Sequence, residues 1–446
     1  MKMERSWLSD SLDLIANQDK ACLLLSNDYP DPYGKFHWML GLGSKQVFHT
    51  PQALNEFNGL AFGHIKYTLK SNDFYRSFGQ QNKDSKTHLN SSKGYTSVED
   101  GSNFGFFEPL SWMVQPRKGD LMFGGTWMKP VDWECARNSI PRKSDFQKLV
   151  VPDLKKSEQK WSWDAQITEE DYIGTVNQIR EHIRQGHFYE MNFCVSFERN
   201  QSLNPYLLFY LLNEVSPSPF SALYKFNDQI VLCASPERFL IKVGDELISQ
   251  PIKGTLKRNI NTDVVDVSRL KNSVKDRAEN IMIVDLVRND LSKICEVGSV
   301  EVPELCGIHS FSHVHQMIST IKGRLQTHVG FEHILEALFP MGSMTGAPKL
   351  EVMKYIDELE SFERTFYSGS LGYCWNGDFD LNVVIRSIQY DLEQEKITYC
   401  VGGAITYDSV AEQEFQECIT KAAAIAETLS FELIANTLNG KDESVV

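Results

Sequence analysis

Trp375-Asn376-Gly377-Asp378 stands between two segments of alternating apolar and polar residues, 366–374 and 379–390. Asn-Gly in that setting selects a two-residue hairpin turn, because both turn positions need positive φ. The chain is therefore expected to carry antiparallel strand pairs. In the second segment Phe379, Leu381, Val383 and Ile385 share one face, and Asn382, Val384 and Arg386 share the other. Two further stretches have helical spacing instead. Residues 266–292 contain no Gly or Pro, place Leu270, Val274, Ala278 and Ile281 on one stripe, and are apolar almost all round at 281–287. Residues 411–430 align Phe415, Cys418, Ile419, Ala422, Ile425, Ala426 and Leu429. Hairpins with separate helices define an α+β class, not an alternating βαβ one.

The 446 residues suffice for one large unit or two to three ordinary domains. Residues 70–103 are polar and rich in Ser, Asn, Lys and Gly, which predicts an exposed loop. Residues 152–164 are charged and begin with Pro, which suits a linker and divides the chain near 155–165. No repeat of solenoid period is present.

A formal net charge of −14 argues against a nucleic-acid partner, since phosphate binding needs clustered Lys and Arg. It also means that an anionic substrate must be captured by local cations. The nine cysteines are scattered, odd in number and never spaced as C-x-x-C, which predicts a reducing, cytoplasmic setting without a cysteine metal site. No apolar run reaches the roughly 18 residues of a membrane helix, and no membrane partner is expected.

Four constellations could carry chemistry. Asp276 and Glu279 are three apart on the first helical stretch, and Glu414 and Glu417 three apart on the second. Each pair shares a helical face. If the helices converge, the carboxylates repel unless a cation joins them, and oxygen ligands suit Mg²⁺. A solvated helix edge has the same spacing. Lys253, followed by Gly254, is predicted on a tight exposed connection; desolvation would make it a nucleophile, and otherwise it is a surface lysine. Glu237 follows the apolar strand 230–234 and is either a general acid or half of a surface pair with Arg238. Arg386, on the polar face of its strand, matches a carboxylate or a structural ion pair, and the Gly402-Gly403-Ala404 backbone lets an anion approach closely.

Other patterns fail. Gly41-Leu42-Gly43 lacks the third dinucleotide-loop glycine, and His313-x-His315 lacks further zinc ligands.

Taken in order, SPERF (235–239), PIKGTLKR (251–258), DRAENIMIVDLVRNDL (276–291), GSMTGAPK (342–349), DELE (357–360), IRS (385–387) and GGAITYDSVAEQEFQECITKA (402–422) resemble the chorismate-utilising family. That family comprises the large chains of anthranilate, aminodeoxychorismate, isochorismate and salicylate synthases. The resemblance covers roughly residues 165–430. It implies one large α+β unit of two face-packed, mainly antiparallel sheets flanked by helices, with an N-terminal subdomain at 1–155 and the chorismate-binding catalytic domain at 165–435. It implies Mg²⁺ at Glu279, Glu414, Glu417 and Asp276, holding the ring carboxylate of chorismate. Arg386, Thr255, Gly402, Gly403, Ala404, Lys421 and Tyr367 fall at its substrate-binding positions, and Glu237 at its general acid.

Lys253 draws the resemblance toward the aminodeoxychorismate synthases, because anthranilate synthases carry a small residue there. It implies amination of chorismate at C4 for para-aminobenzoate and folate biosynthesis, through an adduct of the lysine at C2. Ammonia would come from a separate glutamine amidotransferase subunit. Glu190 stands near the position where the water-adding relatives carry a lysine and where Gln is more usual. Gln316, beside His315, stands where anthranilate synthases place a catalytic His. Both departures point away from water addition and pyruvate elimination. The alternative is anthranilate synthase component I, which forms anthranilate and pyruvate. A silent homologue is disfavoured because all four acids are present.

Overall fold

The computed structural model describes residues 5–70, 103–126, 165–259, 262–311 and 314–439. The expected loop at 70–103 lies almost wholly outside them, as does the expected linker at 152–164. The described strands form two sheets, each of ten strands, and every pairing is antiparallel. The first sheet runs in the order Gly346–Ala347, Glu190–Asn200, Lys396–Thr406, Ser387–Asp391, Gln229–Ser235, Phe220–Phe226, Lys20–Leu25, Phe36–Leu42, Ser111–Pro116 and Met122–Gly125. The second runs Ile252–Lys257, Val314–Arg324, Glu246–Gln250, Arg238–Val243, Asp378–Asn382, Ser370–Trp375, Leu60–Ile65, Phe104–Glu108 and Gln46–Phe48, with Glu301–Ser310 also on Val314–Arg324. Neither sheet closes into a barrel, and the expected α+β class holds. Strands from before residue 155 are built into both sheets: Lys20–Leu25 pairs with Phe220–Phe226, and Leu60–Ile65 with Ser370–Trp375.

The sheets pack face to face. Met39, Ala222, Tyr224 and Val231 of one meet Phe62, Phe107 and Leu371 of the other in a shared apolar layer. The opposite face of the first sheet is covered by helices Glu169–Arg184, Pro205–Val215, Lys349–Leu359 and Ala411–Asn439, through Tyr172, Leu208, Ile356 and Phe415. The opposite face of the second is covered by Val274–Ser292 and Phe331–Leu338, through Ile283 and Leu335. Such layering buries both sheet faces, so the strands are apolar on both sides.

Local chemistry explains where elements start and stop. The Asn-Gly hairpin forms as expected, with φ of 51° at Asn376 and 81° at Gly377, between Ser370–Trp375 and Asp378–Asn382. Two expectations need correction. Residues 266–292 make two helices, Asp263–Lys271 and Val274–Ser292. Ser273 splits them, since its side chain accepts from Asp276 N as an N-cap, and cap chemistry overrides helix propensity without any Gly or Pro. Residues 379–390 are likewise not one strand. Ladder pairing in the second sheet stops at Asn382, whose side chain accepts from Leu371 N. The chain then crosses to the first sheet and resumes at Ser387–Asp391. Arg386 therefore lies in a crossover, at φ 50°, and not on a strand face.

Candidate active site

Two crossovers run side by side between the sheets. Ser235 ends a strand of the first sheet and Arg238 begins one of the second, so Pro236-Glu237 bridges them. Val383–Arg386 returns beside it: Val383 N donates to Glu237 O at 3.0 Å, and Ala234 N donates to Arg386 O at 3.1 Å. Glu237 and Arg386 are thus fixed next to one another by backbone bonds. Glu237 is buried and Arg238 does not pair with it, which removes the surface-pair reading. Desolvation pushes the Glu237 carboxyl up to about 7, against the opposing pull of Ser343, Lys253 and Arg386. Burial pulls the Arg386 guanidinium below its ordinary value, offset in part by Tyr29 and Glu237. Arg386 has no ion-pair partner among the described residues, which suits it to an incoming anion.

Lys253 corrects another expectation. It lies on the Ile252–Lys257 strand, with a side chain only 11% exposed, and not on an exposed connection. The strand is irregular between Ile252 and Thr255. Gly254 there has φ 84°, and a Cβ on it would meet Asp276 side-chain atoms at 2.9–3.0 Å, so only glycine fits. Lys253 Nζ lies 3.0 Å from Glu190 Oε1. Burial pulls its ammonium down, but Glu190 and Glu279 outweigh that, and the net shift is upward. Thr255 is paired with Gln316 on the neighbouring strand.

The two acidic helices converge. Lys275 Nζ lies 3.4 Å from Glu414 Oε1 and 3.8 Å from Glu279 Oε1, so one ammonium bridges both helices. Ser409 Oγ donates to Glu414 at 2.7 Å. Lys421 Nζ lies 2.7 Å from Glu417 and donates to Gly402 O at 2.7 Å. A Cβ on Gly403 would sit 3.5 Å from Glu414 Oε2, 3.6 Å from Lys421 Nζ and 3.7 Å from Glu417 Oε1. A Cβ on Gly402 would meet Phe193 O at 2.4 Å, so the backbone approach needs glycine. Beyond Tyr399 this strand is paired only with Glu190–Asn200, which leaves one edge of Gly402–Ala404 without a strand neighbour. Burial pushes Glu279 up to about 7; Glu190 and Asp276 add to it, while Lys253 and Lys275 oppose. Glu417 moves the other way, because Lys421 outweighs its burial.

The structure thus brings together Lys253, Glu279, Glu414, Glu417, Lys421 and Gly402–Gly403, with Asp276 against Gly254. Among the described residues no three acidic, His or Cys side chains are grouped closely enough, as they stand, to hold a metal ion. Ammonium groups lie between the acids instead. Hard oxygen donors on facing helices still fit a divalent cation, and Glu279 Oε1 is buried without a hydrogen-bond partner. Tyr367 is drawn into the core, where its hydroxyl accepts from Cys194 Sγ at 3.7 Å. His315 has both ring nitrogens engaged, by Ser310 and Asp263, and Gln316 is buried. Sequence reasoning passed over Lys275, Ser343 and Ser409. The spacing of Lys275, four before Glu279, was the one available signal.

The chorismate binding enzyme family matches residues 130–427, well over half of the chain. The chain is 38% identical over 270 residues to aminodeoxychorismate synthase component 1 of Escherichia coli (strain K12), covering 60% of this chain and 59% of that one. It is 40% identical over 294 residues to the chloroplastic aminodeoxychorismate synthase of Arabidopsis thaliana, covering 64% and 31%. It therefore spans less than two thirds of the length of these relatives. The fold is similar to that of anthranilate synthase component I from Streptococcus pneumoniae, with TM-score 0.66 and 25% identity over 88% of this chain and 92% of the other. The menaquinone-specific isochorismate synthase of Escherichia coli shares the fold at TM-score 0.69 and 16% identity, covering 94% and 91%.

Proposed function

This chain belongs to the chorismate-binding enzyme family, and from that premise we propose that it aminates chorismate at C4 to give 4-amino-4-deoxychorismate. The observation that carries the reading is Lys253, an amine buried on an irregular strand within reach of the acidic cluster. Chorismate is a dicarboxylate. Arg386, half-buried and without an ion-pair partner among the described residues, and the open edge at Gly402–Ala404 suit its enolpyruvyl carboxylate. Glu279, Glu414 and Glu417, with Asp276 nearby, would hold Mg²⁺, which would supply positive charge to the ring carboxylate. Lys275, which now neutralises Glu279 and Glu414, would have to turn aside for them to serve as ligands. Lys421, bonded to Glu417 and Gly402 O, would lie beside the bound substrate. Tyr367 holds Cys194, the strand partner of Gly402, from behind and need not touch substrate.

Lys253 adds to ring carbon C2 as the 4-hydroxyl departs, and Glu237 gives that hydroxyl its proton. A carboxyl that keeps its proton to about pH 7 is matched to that task. Ammonia then adds at C4 and expels the lysine. Two allylic steps replace one difficult displacement. Ammonia would be delivered by a separate glutamine amidotransferase subunit, a reading supported by the designation "component 1" of the bacterial relatives. The engagement of both His315 nitrogens leaves no free histidine shuttle there for pyruvate elimination.

The test is product identification after incubation with chorismate, ammonium and Mg²⁺. Mass spectrometry should find a product that keeps the enolpyruvyl group. Fluorescent anthranilate with release of pyruvate would overturn the reading.

A further inference from the structure

Glu190 is the feature that neither the acidic cluster nor the substrate contacts absorb. It opens the Glu190–Asn200 strand, is 1% exposed, and sits between Gly346–Ala347 and Lys396–Thr406 in the sheet. Its Oε1 receives Lys253 Nζ at 3.0 Å, while its Oε2 is buried with no hydrogen-bond partner among the described residues. A carboxylate held only for charge balance would be expected to have both oxygens satisfied, as those of Glu360 are by Arg364. Three other acids act on Lys253, namely Glu279, Glu237 and Glu417, but among the described residues Glu190 alone makes a hydrogen bond to it. The geometry therefore leaves one direct destination for the lysine proton.

We propose that Glu190 is the proton acceptor that frees the Lys253 amine, and the donor that restores it. The proposal rests on the amination reading above. In the resting pair the proton is on lysine. It passes from Nζ to Glu190 Oε1, which converts a buried ammonium–carboxylate pair into an amine and a carboxylic acid. The nitrogen lone pair then forms the bond to C2, both conjugated ring double bonds each shift by one position toward C4, and the C4–O bond breaks with its electron pair. Glu237 protonates the departing oxygen, so water leaves. After ammonia has added at C4, the C2–N bond breaks and its pair returns to Lys253. Glu190 then gives its proton back to Nζ. Glu237 recovers its proton from solvent, and no oxidant or reductant is involved. An internal acceptor matters because the protonated lysine is not nucleophilic.

The test isolates the first step by omitting ammonium. Wild-type protein, chorismate and Mg²⁺ are mixed, and the Lys253 adduct is followed by quenched-flow intact mass spectrometry between pH 6 and 9. Glu190→Gln keeps the shape and a hydrogen-bond acceptor but cannot take a proton. Its adduct rate should fall about 10²-fold at pH 7, in the usual range for losing a general base, and climb about tenfold per pH unit while wild type stays nearly flat. Glu190→Asp should recover part of the loss with the flat profile, and chorismate binding measured by calorimetry should be unchanged in both. A Gln variant as fast as wild type, or faster near neutrality, would overturn the proton role and leave Glu190 as a charge clamp. Wild-type protein that forms product with ammonium but never an adduct would instead sink the covalent reading, and this inference with it.

Discussion

Arg238 opens the strand that follows one crossover and Arg386 lies within the neighbouring one, and their surroundings are opposite. Arg238 is fully engaged: its guanidinium meets Asp31 at 2.6 Å, Asp380 at 2.9 Å and Gln250. Arg386 has no ion-pair partner among the described residues, and Glu237, one position before Arg238, keeps its proton because its burial is not fully compensated. A buried charge costs several kcal/mol unless paired, so a saturated one is architecture and an unsaturated one is held for something that arrives. Adjacent residues of one motif, Glu237 and Arg238, therefore serve chemistry and scaffold respectively.

The largest effect should come from Lys253→Ala, which removes the nucleophile; amination should fall by at least about 10³-fold while calorimetric chorismate binding persists. An Ala variant with full turnover would remove the lysine from the chemistry. Arg238→Ala leaves Asp31 and Asp380 without their cation, and urea unfolding should show a loss of about 3–5 kcal/mol. Arg386→Gln should sharpen the contrast by doing the reverse. Its stability should change by less than about 1 kcal/mol, while KM for chorismate rises by about 10²-fold, consistent with loss of a carboxylate contact. Glu414→Gln should weaken activation by Mg²⁺ about 10-fold or more in a metal titration, and an unchanged curve would refute its placement.

The smallest effect concerns pH. The Glu237 value near 7 in the fold stands above the ordinary 4.5. Its stabilising contribution is therefore complete below about pH 4.5 and is lost as pH rises through 7. Wild-type Tm should decline across that window more than that of Glu237→Gln. Identical slopes would show that Glu237 ionises normally.

Much of this was readable from the chain. The Asn376-Gly377 turn and the α+β class follow from local rules that tertiary contacts did not override, whereas spacing alone left open whether the two acidic helices converge. The misreadings share a cause. Alternation across 379–390 predicted one strand, but periodicity reports which side chains face a core and not which sheet supplies the partner. The crossover at Val383–Arg386 keeps apolar residues inward while changing sheets. A lysine before glycine is usually exposed, whereas the carboxylate that compensates the burial of Lys253 comes from Glu190, distant in sequence. Ser273 could have been recognised as a cap, three residues before Asp276.

The paired crossovers have a mechanical consequence. Two covalent straps tie the sheets together at one place, and the acid and the anion anchor are built into the straps themselves. Sliding of one sheet past the other would stretch both connections at once, so the spacing between Glu237 and Arg386 is insulated from such motion.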